Sequence, residues 1–354
     1  MKAVILIGGL GTRLRPLTLD TPKPLLPVLN KPFLLYQLEM LSRHGVQEAI
    51  LCTSYRPEAF RKALGGLGSS LRLSFVNEKI PLGTGGGLKN AEGLLRGERT
   101  VLALNGDVLN ALDLPAFLRF HRQNQAQVTI ALTRVKDPTL YGLVRADESG
   151  RIRKFLEKPS WDEIETNTIN AGAYLFETRV LGLIPPGSPY SLERSLFPQL
   201  LQNQARLFGY VAAGYWIDIG TVESYLQAHL DILSGRAPFK PEGRRRRSLL
   251  LARGVRLGRE LGEPQGGRVL LGPKTEVGDF ARFSGNVCVG PGCRIGRGAS
   301  LEDCVVLGGT AIGEGARLKR CVVGRGCRIG VQASLEAQTA LAGGSRVGAY
   351  SRLG

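Results

Sequence analysis

Over residues 1–235, short unbroken apolar runs alternate with stretches whose apolar positions recur every three or four residues. The runs KAVILIG (2–8), EAILCTS (48–54), LRLSFVNE (71–78) and TVLALNGD (100–107) predict strands. Between them, PFLLYQLEMLSRHG (32–45), PEAFRKALGGL (57–67) and GGLKNAEGLL (86–95) predict amphipathic helices, the first closed by Gly45. Strands that are apolar on both faces and separated by helices predict a Rossmann-like α/β domain. Its sheet is mixed but mainly parallel, with helices on both faces. Ligands of such sheets bind beyond the carboxyl ends of the strands. Both the glycine-rich segment after the first run and Asn105-Gly106-Asp107 after TVLAL lie there.

The C-terminal third follows another rule. Apolar-Gly pairs fall at Val277-Gly278, Ile295-Gly296, Ile312-Gly313, Ile329-Gly330 and Val347-Gly348, spaced by 18, 17, 17 and 18 residues. Further pairs, Leu271-Gly272 and Val289-Gly290, precede these by six residues, and IGRGASLEDCVVLGGTA (295–311) and IGEGARLKRCVVGRGCR (312–328) are copies of one unit. Six residues per face and three faces per turn predict a left-handed parallel β-helix of hexapeptide repeats, which buries a continuous core only by stacking. The expected division is therefore an α/β domain over 1–235, an Arg/Gly/Pro-rich linker over 236–262 and the β-helix over 263–354.

Composition adjusts this picture. A chain of 354 residues, 43% hydrophobic, can bury two cores. It has no apolar run of about 18 residues, and a glycine loop follows the N-terminal run where a signal peptide would have its cleavage region, so a soluble cytoplasmic protein without membrane association is expected. The six cysteines include no C-x-x-C pair and the three histidines are scattered, so small buried apolar roles are favoured over zinc. The net charge of +17 is uneven: residues 1–235 carry 26 Lys+Arg against 21 Asp+Glu, residues 236–354 carry 21 against 9. A basic tail raises the prospect of nucleic acid, but no aromatic residues interleave with Arg244–Arg247 to stack bases, and a solvated face is the simpler reading.

The candidate chemistry begins at GGLGTRLRPLTLDTPKPLLPV (8–28). Gly8, Gly9 and Gly11 let backbone amides turn toward an anion, Thr12 adds a hydroxyl, Arg13 a planar fork and Lys23 a point charge held between prolines. The stretch is neither a Walker A loop nor a dinucleotide fingerprint. Asp107 on its own reads as a turn residue, and Glu157-Lys158 as a surface ion pair. Asp218 lies between apolar neighbours, where a bare carboxylate is costly.

Taken with PLGTGGGL (81–88), LNGDV (104–108), YGLV (141–144), FLEKP (155–159), NAGAYLF (170–176) and GYWIDIGTVESYL (214–226), this segment resembles the signature of the sugar-1-phosphate nucleotidyltransferases, along nearly the whole chain. The resemblance implies that Leu6, Gly8, Gly9, Gly11, Thr12, Arg13 and Lys23 hold a nucleoside triphosphate, and that Glu78, Pro81, Gly83 and Thr84 read its base. It implies Asp107 and Asp218 as Mg²⁺ ligands, and Gly142, Glu157, Lys158 and Asn170 as the sugar-phosphate pocket. The implied reaction is an in-line attack of the sugar phosphate on the α-phosphorus with loss of pyrophosphate, in which Arg13, Lys23, Asp107 and Asp218 are the catalytic set and no side-chain nucleophile is needed. NKPFLLYQLEML, INAGAYLF with SLERSLFPQLL, and GYWIDIG are most similar to the mannose-1-phosphate guanylyltransferase branch, which implies GDP-mannose synthesis. Glucose-1-phosphate thymidylyl-, uridylyl- and adenylyltransferases share most of these motifs and stand as the alternative. A non-catalytic regulatory homologue is a further one, against which the presence of all four catalytic residues weighs. Stacking of β-helices implies a homo-oligomer.

Overall fold

The computed structural model describes residues 1–54, 56–65 and 71–354. The chain forms two compact units, residues 1–9 with 34–216, and residues 10–33 with 217–354.

The first unit is built on strands β1 (Lys2–Leu6), β2 (Glu48–Thr53), β3 (Arg72–Asn77), β4 (Thr100–Asn105), β5 (Val128–Arg134), β6 (Gly142–Ala146), β7 (Ile152–Glu157), β8 (Thr168–Glu177) and β9 (Leu207–Val211). Their order along the main sheet is β7-β6-β8-β4-β1-β2-β3, and β5 joins β8 to β9. Strands β4, β1, β2 and β3 run parallel, as the unbroken apolar runs predict, while β8 is antiparallel to β4 and β5. Val4, Ile50, Val101, Ala103, Ile130, Tyr174 and Phe176 are fully buried in one core.

The helices are α1 (Phe33–Arg43), α2 (Pro57–Leu64), α3 (Gly83–Asn90), α4 (Leu114–Gln123), α5 (Phe197–Gln202) and α6 (Val222–Ser234). The helix expected over 57–67 ends at Leu64, and residues 66 and 67 lie outside the described residues. Helix α3 differs from the expectation of 86–95. It starts at Gly83, three residues earlier, and tightens into a 3₁₀ turn over Glu92–Leu95. The glycine run GTGGG is thus helical, because the amides of Gly85 and Gly86 both donate to Tyr190 O (2.9 and 3.0 Å). Burial against the segment before α5 overrides glycine's weak helix propensity.

In the second unit, strand pairs follow the sequence repeat. Val277, Ile295, Ile312, Ile329 and Val347 are in register across successive parallel strands, and Leu257 extends the row one coil earlier. Two further rows complete three stacked sheets, parallel apart from an opening hairpin of Arg244–Arg246 with Leu249–Leu251, the arrangement of a parallel β-helix. Strands therefore occur within 236–262. All six cysteines are buried and free of disulfides. Thr275, Cys293, Thr310 and Cys327 occupy one stacked position, and each donates to a main-chain carbonyl near the next corner (2.9, 3.3, 2.8 and 3.0 Å). Cysteine here is a small apolar residue with a weak donor, used interchangeably with threonine. No helix among the described residues is long and apolar enough to cross a membrane.

Candidate functional site

Of the residues singled out above, the first unit holds Leu6, Gly8, Gly9, Glu78, Pro81, Gly83, Thr84, Asp107, Gly142, Glu157, Lys158 and Asn170. The second holds Gly11, Thr12, Arg13, Lys23 and Asp218.

In the first unit, the carboxyl ends of β1 to β4 carry the glycine loop, the 78–82 loop and the Asp107 turn. Gly106 N donates to Leu6 O (2.9 Å), and a Cβ at Gly106 would sit 2.1 Å from Ile7 Cγ2. Only glycine lets the Asp107 turn close over the end of β1. Gln37 of α1, 5% exposed, braces the same turn from below: its Nε2 donates to Asn105 O (2.8 Å) and Val108 O (2.9 Å), one on each side of Asp107. The chain thus holds a partly exposed carboxylate on a rigid turn. Glu78 closes its own loop. Its Oε2 accepts from Leu82 N (2.9 Å), and Ser54 donates to Gly8 O (2.7 Å) alongside it. Burial raises the Glu78 carboxyl above the usual range.

The sugar-phosphate candidates converge on β6, β7 and β8. Gly142 pairs with Glu157 across the ladder, and a Cβ there would meet Phe155 Cζ at 2.8 Å and Glu157 Oε2 at 3.0 Å. Glycine at 142 is therefore what lets the Glu157 carboxylate lie across the strand. Burial pushes the Glu157 carboxyl up, and the neighbouring Glu193 carboxylate adds to this, while Lys158 and Arg194 oppose it. On β8 the pairing with β5 slips between Asn170 and Tyr174. Asn170 Oδ1 accepts from Gly172 N (3.0 Å) and its Nδ2 donates to the buried Tyr174 hydroxyl (2.8 Å). Trp216 donates from Nε1 to Ala171 O (3.0 Å) and meets Tyr141 edge-on, ring centroids 5.4 Å apart.

In the second unit, Gly11 is left-handed (φ 63°) and opens a 3₁₀ turn, Thr12–Leu14, where an α-helix would start in a dinucleotide fold. Thr18 Oγ1 donates to Gly11 O (2.8 Å), fixing this turn. Lys23, 7% exposed, opens a second 3₁₀ turn between Pro22 and Pro24. Its Nζ lies 3.4 Å from Asp218 Oδ1. Gly220 is flanked by both Asp218 oxygens and Arg13 Nη2, at 3.0 and 3.2 Å from where its Cβ would be. Arg13, Lys23 and Asp218, 205 residues apart at the extremes, are thus brought together as two cations around one carboxylate. Guanidinium and ammonium groups held in one place suit a polyanionic ligand.

Three contributors escaped the reading of the sequence: Gln37, Tyr174 and Glu193. Gln37 carried a faint signal, a polar residue on the apolar face of α1, whereas Tyr174 sat inside an apolar strand and Glu193 in a polar turn.

The family model described as Nucleotidyl transferase matches residues 2–235, and that described as GMPPB C-terminal domain matches residues 265–351. A mannose-1-phosphate guanylyltransferase of Mycobacterium tuberculosis is 40% identical over 322 residues, covering 90% of this chain and 83% of that protein. Mannose-1-phosphate guanylyltransferase 1 of Arabidopsis thaliana is 36% identical over 349 residues, covering 96% of this chain and 91% of that one. Among solved structures, HddC of Yersinia pseudotuberculosis complexed with GMP-PN superposes with a TM-score of 0.57 at 30% identity, over 65% of this chain and 99% of that chain.

Proposed function

Since this chain belongs to the nucleotidyl transferase family, we propose that it joins mannose 1-phosphate to GTP, forming GDP-mannose and releasing pyrophosphate. The observation that carries the reading is the end-to-end likeness to proteins named mannose-1-phosphate guanylyltransferase at 35–40% identity, across both parts of the chain. Residues 1–235 form the catalytic part in this reading, and 263–354 a left-handed β-helix through which copies of the chain assemble.

The chemical problem is to bring two anions together. Arg13 and Lys23 offset the charge of the triphosphate and stabilise the charge that develops on departing pyrophosphate. Gly8, Gly9, Gly11 and Thr12 offer donors along the phosphate chain, with Leu6, Glu78, Pro81, Gly83 and Thr84 around the nucleoside. Glu157 accepts sugar hydroxyls, Lys158 faces the sugar's phosphate and Asn170 orients the ring, within the walls that Gly142 leaves open. The phosphate nucleophile is already ionised, so the chain supplies no general base.

Asp107 and Asp218 would hold a divalent cation, which we take to be Mg²⁺. Each is a hard oxygen donor of the kind such an ion takes, and Asn105 Oδ1, buried two residues before Asp107, has no protein hydrogen-bond partner and can accept from a water carried by the ion. When bound, the cation supplies charge neutralisation between the phosphates.

Pyrophosphate release measured for GTP, ATP, UTP and dTTP, each with mannose and glucose 1-phosphate, tests the reading. GTP with mannose 1-phosphate gives the highest kcat/KM; a higher value for any other pair overturns it.

A further inference from the structure

Between the two groups of substrate-binding candidates in the first unit runs one continuous chain of hydrogen bonds, and it passes through a residue to which its motif, SLERSLFPQLL, gives no role. Glu193 lies in the π-helical turn Leu192–Leu196 that leads into α5. Its Oε2 accepts from Thr84 Oγ1 (2.7 Å), at the start of α3, and from Ser191 Oγ (2.8 Å). Thr84 Oγ1 in turn accepts from Leu192 N (2.9 Å), so α3 and this turn are clasped from both sides. The other carboxylate oxygen, Oε1, accepts from the hydroxyl of Tyr174 (3.2 Å). That hydroxyl, fully buried, accepts from Asn170 Nδ2 (2.8 Å) and more distantly from Asn105 Nδ2 (3.5 Å). One carboxylate thus divides its two oxygens between the nucleotide-side helix and the sugar-side strand.

We propose that Glu193 is a positioning residue that couples the two substrate pockets, holding Thr84 and α3 in register with Asn170 through Tyr174. The inference rests on the functional reading above. Two features of the geometry carry it, and electrostatics supports it. A carboxylate, with acceptors only, compels both Thr84 and Tyr174 to donate, and so fixes the direction of every bond in the chain. Each link is charge-assisted or buried, which makes the network costly to leave half-made. In addition, burial pushes the Glu157 carboxyl up and the Glu193 charge adds to this, against Lys158 and Arg194.

Steady-state kinetics of Glu193→Gln and Tyr174→Phe test this. Glutamine keeps the shape but has a single acceptor oxygen, so Thr84 and Tyr174 can no longer both donate to it. The expected result is a rise of about tenfold or more in KM for both GTP and mannose 1-phosphate, at a melting temperature within a few degrees of wild type. Tyr174→Phe raises KM for the sugar phosphate alone, and the double variant is no worse in that KM than Glu193→Gln by itself, since both cut one chain. The pH profile supplies a readout that a merely structural role would not move. Removing the Glu193 charge relaxes Glu157, so the acid limb of kcat/KM for the sugar phosphate shifts to lower pH. Both KM values within twofold of wild type, or an unmoved acid limb, overturn the proposal. Should Glu193→Gln not accumulate as folded protein, Tyr174→Phe carries the test, and an unchanged sugar-phosphate KM overturns it. Wild-type turnover is measured in the same series. If wild type prefers another substrate pair, the functional reading fails while the Glu193 test proceeds with that pair.

Discussion

The α/β unit and the β-helix use the same residue types under opposite rules. In the β-helix, Gly258, Gly278, Gly296, Gly313 and Gly330 share one constraint: a Cβ at any of them would come within 3.0 Å of main-chain atoms one coil on. Each glycine is required by the neighbouring copy of its own repeat. In the α/β unit, Gly106 is excluded from carrying a side chain by Ile7, and Gly142 by Phe155 and Glu157, partners that share no period. Polar residues divide in the same way. The Thr/Cys row of the β-helix repeats one hydrogen bond four times, while Gln37, Tyr174 and Glu193 each bond to partners that follow no repeat. Repetition builds a core and irregularity builds a site. The β-helix should therefore govern stability, and the irregular residues turnover.

The largest effect is expected at the cationic cluster. Lys23→Met is expected to lower kcat by about a thousandfold, the scale of losing a preorganised charge at the transition state, read as pyrophosphate release at saturating substrates. Loss of no more than tenfold would remove Lys23 from the catalytic set. In the β-helix, Leu318→Ala empties a position that is 1% exposed. It should cost about 2–5 kcal/mol in urea-induced unfolding, with kcat per folded molecule unchanged; a matching fall in kcat would show that the repeat does shape the site. Gly142→Ala is expected to raise KM for the sugar phosphate about tenfold, because the new methyl displaces Phe155 or Glu157 by overpacking, while KM for GTP moves less than twofold. Equal changes in both constants would mean that the strand, and not the pocket, was disturbed. The smallest effect lies outside both regimes. Asp113 caps α4, accepting from Ala116 N (2.9 Å), so Asp113→Ala should cost about 1 kcal/mol in unfolding free energy and leave both KM values untouched.

Part of this contrast was readable along the chain. The Val/Ile-Gly frame predicts the register of one β-helix face residue by residue, and the structure adds only Leu257 ahead of it. The four parallel strands fall where their apolar runs begin and end, to within a residue or two. The start of α3 was misplaced because helix propensity argues against GTGGG, while Tyr190 O, more than a hundred residues away, accepts the amides that make it helical. Of the candidate site, Arg13, Lys23, Asp107 and Glu157 stand in motifs with charge and glycine to mark them. Gln37 and Glu193 also stand in motifs, NKPFLLYQLEML and SLERSLFPQLL, but what gives them a role is contact with groups 68 to 109 residues distant.

Local order is determined by the sequence alone wherever an element's partner is its own neighbour or its own repeat: the hydrophobic period then states both what is buried and against what. Tertiary structure decided the rest, namely which carbonyls the Gln37 amide would brace, where Lys23 would meet Asp218, and that one carboxylate would be shared between Thr84 and Tyr174. The physical reason is that a hydrogen bond between distant residues is specified by direction and distance, to within a few tenths of an ångström. No pattern of residue types along the chain carries that information until the sheet has brought the strands together.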